Sequence, residues 1–203
     1  MQFLVSVALL TAAISPPASY AELYGEAYFD CGAHQLGPAQ VKVMEDLIEV
    51  EKEFFSQNPQ IPQSLRGMIL AAACRESRFT STARGDWRDR RGKRVAMAHG
   101  VVQLWPWWER HYGVDRDDHA QAARAWLTHV VHQYNKNKRY RRCPSNFSDE
   151  RQWVAAWVQV ARGGRVNRSN HYRCYEVPSH YKTLKKWRRS IRKERRQADY
   201  DGC

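Results

Sequence analysis

The spacing of the apolar residues limits this chain more than any other feature of its sequence. Apolar side chains recur at every third or fourth position, which is the period of an amphipathic helix, and the alternation typical of strands is scarce. The clearest stripe lies in residues 118–134 and consists of Ala120, Ala123, Leu127, Val130, Val131 and Tyr134. Similar stripes predict helices over residues 40–56, 64–76, 107–112, 149–161 and 179–196. We therefore expect a mainly α fold consisting of a single compact helical domain.

Polar residues and glycines indicate where these helices begin and end. Asp117 and Ser148 each precede a predicted helix, and their side-chain oxygens are suited to N-capping. Gly163 and Gly164 follow the helix over residues 149–161 and are suited to the left-handed backbone that ends a helix. Residues 78–100 are polar, basic and free of helical periodicity, which predicts a long loop of the kind that is usually functional or disordered.

The first residues have the pattern of an export signal. Residues 3–14 are apolar but too few to cross a bilayer, and Pro16 and Pro17 end the segment. Ser19-Tyr20-Ala21 places small residues where a signal peptidase requires them, so we expect cleavage after Ala21. These features predict a signal peptide over residues 1–21 and a periplasmic or secreted protein.

The charge balance points to polyanionic partners. The chain has 33 Lys and Arg residues against 21 Asp and Glu residues, a formal net charge of +12. In an exported protein this excess favours cell-wall polymers, anionic lipid or nucleic acid, and charge alone does not choose among them; charge also serves solubility. Residues 185–196 predict a basic helix with a narrow apolar seam, which either contacts an anionic membrane surface or remains a solvated face. We expect the chain to be a monomer. We also expect no nucleic-acid partner, because no nucleic-acid motif occurs.

The five cysteines suggest disulfides rather than a metal site. An exported chain matures where disulfides persist, and an odd number leaves at least one cysteine free or bonded to another chain. We expect a Cys143–Cys174 bridge, whereas Cys31 with Cys74 or with Cys203 remains open. No Cys-x-x-Cys occurs, and the His129-x-x-His132 pair lacks an obvious third ligand, so we expect neither a metal nor a cofactor.

Glu76 lies at the end of an otherwise apolar helical stripe. The residues that share its face are Leu65, Ile69, Ala72 and Ala73. Partial desolvation and the negative potential at the carboxyl end of a helix both favour the protonated form of a carboxyl group. A general acid for glycoside cleavage needs such a group. From this segment alone, a solvent-facing Glu76 that pairs with Arg75 or Arg78 is the simpler interpretation.

Three further segments follow the Glu76-Ser77 pair in an informative order. They are Gly100-Val101-Val102-Gln103-Leu104-Trp105-Pro106, the helix that ends on glycines in residues 152–166, and Tyr181 at the start of the last helix. In this order they resemble the catalytic domain of soluble lytic transglycosylases, which are related to goose-type lysozymes. The resemblance covers about residues 62–190. It implies a lysozyme-like domain, with residues 22–61 as an N-terminal segment carrying one helix and residues 191–203 as a basic tail.

The resemblance assigns roles to residues of the first two motifs. Glu76 matches the catalytic acid, and Ser77 matches a serine that hydrogen-bonds near the reacting sugar. Gly100 and Gln103 match the glycine and glutamine of the second motif, which implies a contact from Gln103 to a sugar N-acetyl group. Val102 replaces the usual methionine.

The later motifs match less well. The family's Tyr-Asn pair falls at about Gln159-Val160, so neither residue is kept; Gln159 is expected to offer a polar contact, or Trp157 a ring face. Tyr181 matches a late tyrosine near the catalytic carboxyl. Two nearby tyrosines compete with it, Tyr172 and Tyr175.

Aromatic residues and an insertion flank the second motif. Trp105, Trp107 and Trp108 follow Gln103 directly and are suited either to stacking on sugar rings or to the core. Residues 84–98 are longer and more basic than the family pattern, and we expect them to form a lid or a wall over the cleft.

The resemblance implies cleavage of the β-1,4 bond between N-acetylmuramic acid and N-acetylglucosamine. Glu76 would protonate the bridging oxygen, the substrate N-acetyl group would capture the cationic centre, and the 6-hydroxyl would close a 1,6-anhydro product. A goose-type lysozyme would use water instead, positioned by an acid for which Asp86 and Asp89 are candidates; both also fit a solvated loop. The alternative from another class is a non-catalytic, basic cell-wall or polyanion-binding protein.

Overall fold

The computed structural model describes residues 36–140 and 147–161, and this part of the chain is mainly helical. The helices are α1 (Pro38–Gln57), α2 (Met68–Ser77), α3 (Pro106–Tyr112), α4 (His119–Tyr140) and α5 (Asp149–Ala161), with a short 3₁₀ turn at Gln63–Leu65. Two strands, β1 (Arg84–Arg90) and β2 (Lys93–His99), form an antiparallel sheet between α2 and α3. The mainly α prediction is therefore confirmed for the described residues.

The core forms where the apolar stripes of the helices meet. Helix α4 packs against both α1 and α5, and α1 also packs against α2. Trp126 of α4 and Trp153 of α5 are almost fully buried, and the ring of Tyr134 stacks on Trp153 with 3.8 Å between centroids. Such close aromatic packing contributes on the order of 1 kcal/mol beyond the burial of apolar area.

Helix α2 is short, and a buried carboxylate anchors its first turn. The backbone N–H groups of Gly67 and Ile69 donate to the two carboxylate oxygens of Glu51 on α1, at 2.8 and 3.2 Å. These N–H groups otherwise lack partners at a helix start, and the positive end of the helix dipole adds attraction for the carboxylate. Burial nevertheless raises the pKa of Glu51 to about 7. Glu51 was not among the residues singled out from the sequence.

Of the two predicted helix caps, one differs from the prediction and one is confirmed. The side chain of Asp118, rather than Asp117, caps α4 by accepting from the backbone N–H groups of Ala120 and Gln121. Asp117 instead pairs with Arg84 at 2.9 Å. The predicted cap of α5 is confirmed, because the N–H of Arg151 donates to the hydroxyl of Ser148 at 3.4 Å.

The predicted loop over residues 78–100 is wrong, because most of it forms a β-hairpin. Strands β1 and β2 pair from Arg84 opposite His99 to Arg90 opposite Lys93. The two residues between them, Arg91 and Gly92, have φ values of 50° and 75°. Positive φ at both positions is what a tight two-residue hairpin turn requires.

Several expectations concern residues outside the described part. They are the signal peptide and its cleavage after Ala21, the helix over residues 179–196, the basic tail, Cys143–Cys174 and Tyr181. Cys74, on α2, is disulfide-bonded, and its partner also lies outside the described residues, so the pairing stays a prediction. None of the described helices is long and apolar enough to span a bilayer.

Candidate active site

A cleft of about 810 Å³ lies where α2 ends and the hairpin begins. Every described element except α1 contributes to its walls. The lining residues include Arg75 and Glu76 of α2; Asp86, Arg90 and Met97 of the hairpin; Val102, Gln103, Leu104 and Trp105 of the following loop; Pro106, Trp107, Trp108 and Arg110 of α3; Trp126; and Val160 and Ala161. The cleft is therefore part apolar and part cationic, with two carboxylates.

Glu76 lies in the last turn of α2 and is half-buried. Ala72 and Ala73, on the same stripe, are buried in the core, as the helical period predicts. The chain turns sharply after the helix, because Arg78 and Phe79 both have left-handed backbones, with φ of 51° and 61°. The side chain of Phe79 is fully buried and fixes this turn. The carboxyl of Glu76 is consequently held on a rigid element, facing a cleft.

The hydroxyl of Ser77 connects α2 to the loop that carries Gln103. It lies 2.8 Å from the carbonyl oxygen of Val101 and 3.2 Å from that of Ala73, so its single proton can be donated to either. Ser77 is absent from the described cleft wall. Its geometry is that of a residue that positions the loop, and the sugar contact that the resemblance implies stays a prediction.

Gly100 allows the loop to pass directly against the backbone before α4. Its φ is 77°, and a Cβ atom there would lie 2.0 Å from the carbonyl oxygen of Arg116. Only glycine fits such a close approach of two backbone segments. Gly100 thus shapes the cleft without lining it.

Gln103 is held in place by both of its neighbouring segments. Its side-chain amide donates to the carbonyl of Gly100 at 2.9 Å, and its own φ is 51°. Its side-chain oxygen packs against Gly85 of β1, where a Cβ atom would come within 2.3 Å. A non-glycine residue at positive φ is uncommon and often marks a functional site. Gln103 lines the same cleft as Glu76, as the resemblance implies.

Trp105 connects the cleft wall to the hairpin. Its indole N–H donates to the carboxylate of Asp86 at 2.8 Å, and the guanidinium of Arg88 lies 6.0 Å from its ring centroid. Asp86 itself has a φ of 48°, which interrupts the regular backbone of β1 and directs this carboxylate to the cleft. Asp89, the other predicted candidate acid, lies opposite Arg94 in the hairpin and does not line the cleft.

Trp107 and Trp108 lie in the first turn of α3 and contact each other with tilted rings, 4.4 Å between the centroids. Trp108 is buried, whereas Trp107 is half-buried, and both line the cleft. Below them, the ring nitrogen Nδ1 of His129 lies 2.6 Å from the hydroxyl of Tyr112. Of these rings, Trp105 and Trp107 are the ones with surface available to a sugar.

The third motif does not contribute the polar contact that was predicted. Gln159 is fully buried in α5, and its side-chain oxygen accepts from the amide of Asn137 on α4 at 2.9 Å. Trp157, the other candidate, is also buried and absent from the described cleft wall. The phase of α5 directs Val160 and Ala161 to the cleft instead. The remaining candidates are tyrosines outside the described residues: Tyr172, Tyr175 and Tyr181.

Arg116 packs behind the cleft, and it was not among the residues singled out from the sequence. Its buried guanidinium donates to the carbonyl oxygens of Met97 and Leu104, at 2.9 and 3.1 Å. It also pairs with the carboxylate of Glu109 on α3 at 2.7 Å. One side chain therefore holds the hairpin, the Gln103 loop and α3 together. Its position in a polar segment between helices gave no signal of this role.

The described residues contain no group of three or more His, Cys, Asp or Glu side chains placed to hold a metal ion. His129 and His132 stack on each other at 5.7 Å, with His129 hydrogen-bonded to a tyrosine as above.

Comparisons of the chain with protein-family models, with curated proteins and with solved structures find no match.

Proposed function

We propose that this chain is a peptidoglycan-cleaving enzyme of the lytic transglycosylase type, with Glu76 as its acid and base. The observation that carries the proposal is that Glu76, Gln103 and Trp105 line one cleft. A whole hairpin separates Glu76 from Gln103 in the sequence, and the resemblance assigns a role to each of them. We propose in addition that the helical core is lysozyme-like and that the protein acts outside the cytoplasm.

The cleft gives Glu76 the surroundings that an acid catalyst needs. It is half-buried at the carboxyl end of a helix, beside the apolar side chains of Val102 and Leu104 in the same wall. In the proposed reaction Glu76 protonates the oxygen that joins the two sugars, and the bond to the anomeric carbon breaks. The carboxylate then takes the proton of the 6-hydroxyl as that oxygen closes on the anomeric carbon. The proton is thereby returned, and no water is consumed.

The cleft wall offers contacts for the sugars on either side of that bond. The side chain of Gln103 is fixed by Gly85 and Gly100, so it can hold an N-acetyl group without paying further ordering cost. The accessible ring surface of Trp107 is suited to the C–H face of a sugar. Aromatic stacking and one oriented amide are typical of small polar ligand sites in an apolar cleft.

A second candidate, hydrolysis as in goose-type lysozymes, is favoured by one observation. Asp86 is a second carboxylate in the wall of the cleft, oriented by the indole of Trp105. An inverting hydrolysis requires such a carboxylate to activate a water on the other face of the sugar. If that reaction occurs, Asp86→Asn should abolish it, whereas a transglycosylase that relies on the substrate N-acetyl group should keep most of its activity.

The direct test compares Glu76→Gln with the wild-type chain on purified sacculi. The amide keeps the shape of the side chain but cannot donate or take up the proton, so release of soluble muropeptides should fall at least about a hundredfold. Glu45→Gln on the exposed face of α1 is the matched control, because it removes the same charge far from the cleft. Undiminished release by Glu76→Gln would refute the proposal.

A further inference from the structure

The outer part of the hairpin, residues 86–95, extends into solvent, and we call it the hairpin arm. All ten of its residues are exposed, whereas Ala96, Met97 and Ala98 behind them are buried and anchor the arm in the fold. Its cations are Arg88, Arg90, Arg91, Lys93 and Arg94, against the carboxylates of Asp86 and Asp89. The arm is therefore a rigidly based, strongly basic projection.

The cations of the arm are not used in holding the fold together. No cation of the arm takes part in an ion pair of the described residues; the cations that do are Lys42, Lys52, Arg84, Arg116, Arg124, Lys138 and the histidines His99 and His119. Two arginines of the arm contact rings instead: Arg88 lies over Trp105, and Arg94 lies 5.7 Å from the ring centroid of Trp87. Five cations this close together repel one another, and a structural role does not account for them.

The arm is continuous with the cleft. Arg90 belongs to both, and Arg110 of α3 adds another cation to the cleft wall. A polymer strand lying in the cleft would therefore pass a basic surface as it leaves. Four of the arm's five cations are arginines, whose planar guanidinium groups bind carboxylates through two parallel hydrogen bonds.

We infer that the hairpin arm binds the acidic peptides that peptidoglycan carries on its muramic acid residues, so that the chain selects peptide-bearing glycan strands. This inference rests on the proposed function for the identity of the polymer. A glycan strand occupies the cleft, and the carboxylates of its peptides meet the guanidinium groups of Arg88, Arg91 and Arg94. The exposed ring of Trp87, half of whose surface is accessible, lies on the same face of the arm as Arg94 and adds an apolar contact beside it.

The arrangement of the arm argues against a lipid surface as its partner. Trp87 and Val95 are its exposed apolar side chains, 50% and 42% accessible. They belong to neighbouring cross-strand pairs, Trp87 with Ala96 and Val95 with Arg88, and successive pairs project from opposite faces of a hairpin. They cannot enter one membrane together.

The test measures binding separately from cleavage. The full chain carrying Glu76→Gln is sedimented with intact sacculi and, in parallel, with peptide-free glycan strands coupled to beads, at one fixed ionic strength. Beads are needed because an amidase that removes the peptides also dissolves the sacculus. The inference predicts binding to intact sacculi about tenfold tighter than to peptide-free glycan. Equal binding to both would overturn it.

Charge variants then locate the effect. Replacing Arg88, Arg91 and Arg94 together by glutamine should remove most of the preference for intact sacculi. The matched control replaces Lys42, Lys52 and Lys136, on α1 and α4, by glutamine; it lowers net charge equally and should keep the preference. A preference that survives in the arm variant, or that disappears equally in the control, would contradict the inference. So would an arm variant that loses binding to anionic phospholipid vesicles while retaining its preference for intact sacculi.

The outcome also separates this inference from the proposed function. A wild-type chain that releases no muropeptides but still prefers intact sacculi through its arm would refute cleavage and leave the arm's role standing. A chain that cleaves sacculi and peptide-free glycan at equal rates, with equal binding, would refute the arm's role alone.

Discussion

The indole N–H of Trp105 donates to the carboxylate of Asp86 at 2.8 Å, and this contact joins the hairpin to the wall of the cleft. Trp105→Phe keeps an aromatic ring but removes the donor. Because the hydrogen bond is exposed, its loss should cost less than about 1 kcal/mol of unfolding free energy. The wall of the cleft should nevertheless be less well ordered, so muropeptide release should fall several-fold. The free energy of unfolding measured by chemical denaturation should change little. A variant with wild-type activity would show that the contact does not matter for the site.

Asp86→Asn distinguishes the two proposed reactions. Asparagine keeps an acceptor for the Trp105 indole but cannot act as a base. For a lytic transglycosylase we expect less than about a tenfold loss of rate, measured as soluble product from sacculi. A loss of about a hundredfold or more would assign a catalytic role to Asp86 and favour hydrolysis.

Glu51 should make stability depend on pH in the direction opposite to a carboxylate whose pKa is lowered by an ion pair. Burial raises its pKa in the folded chain from 4.5 to about 7. The folded state therefore binds the proton more tightly than the unfolded state does, and the free energy of unfolding falls as pH rises from about 4.5 to about 7. Linkage puts the full effect at about 3 kcal/mol.

Glu51→Gln tests this by removing the titration. Urea unfolding at pH 5 and at pH 8 should show a smaller loss of stability with rising pH in Glu51→Gln than in the wild-type chain. Glu45→Gln, on the exposed face of the same helix, should behave like the wild type. Identical pH dependence in wild type and Glu51→Gln would contradict the burial argument.

Gly100→Ala should destabilise the chain strongly. The added Cβ would lie 2.0 Å from the carbonyl oxygen of Arg116, a backbone atom that cannot move aside easily, at a φ of 77°. We expect a loss of about 3 kcal/mol or more, measured by thermal or urea unfolding. Gly92→Ala is the control, because its φ of 75° is similar but no atom lies within 4 Å of the new Cβ. It should cost only about 1 kcal/mol, from backbone strain alone.

Gly85→Ala should impair function more than stability. Its Cβ would come within 2.3 Å of the side-chain oxygen of Gln103, which would have to move. A side chain can rotate away at modest cost, so we expect about a tenfold loss of muropeptide release with less than about 1 kcal/mol of destabilisation. Gly37→Ala, whose Cβ would make only an ordinary 3.8 Å contact, should leave release unchanged. If Gly85→Ala retains full activity, Gln103 does not position the substrate.

The helices could be predicted because apolar residues recur at a regular period along the buried face of each one. The hairpin could not, since all residues from 86 to 95 are exposed and both faces of the arm are polar, so no alternation appears in the sequence. Gly92 was the available signal. A glycine between two basic segments of equal length is suited to the second position of a two-residue turn, where φ is positive.

The residues of the candidate site whose direction depends only on their local motif could be predicted from the sequence. Glu76 and Gln103 reach the cleft as expected. Gln159 does not, because the phase of α5 turns it towards Asn137 in the core, and a motif alignment does not show that phase. Glu51 was missed although it lies on the apolar stripe of α1, with buried Leu47 and Phe55 four residues to either side. A carboxylate on the apolar face of one helix indicates that it is buried and caps the start of a neighbouring helix.

Mass spectrometry of the saccharides released from purified sacculi by the wild-type chain tests the central claim most directly. The account predicts glycan fragments that end in 1,6-anhydro-muramyl residues, lighter by one water than fragments with reducing ends, and predicts that they vanish with Glu76→Gln. Fragments with reducing ends alone would contradict the transglycosylase assignment in favour of hydrolysis. No glycan fragments at all would contradict the enzymatic account and leave a basic cell-wall binder.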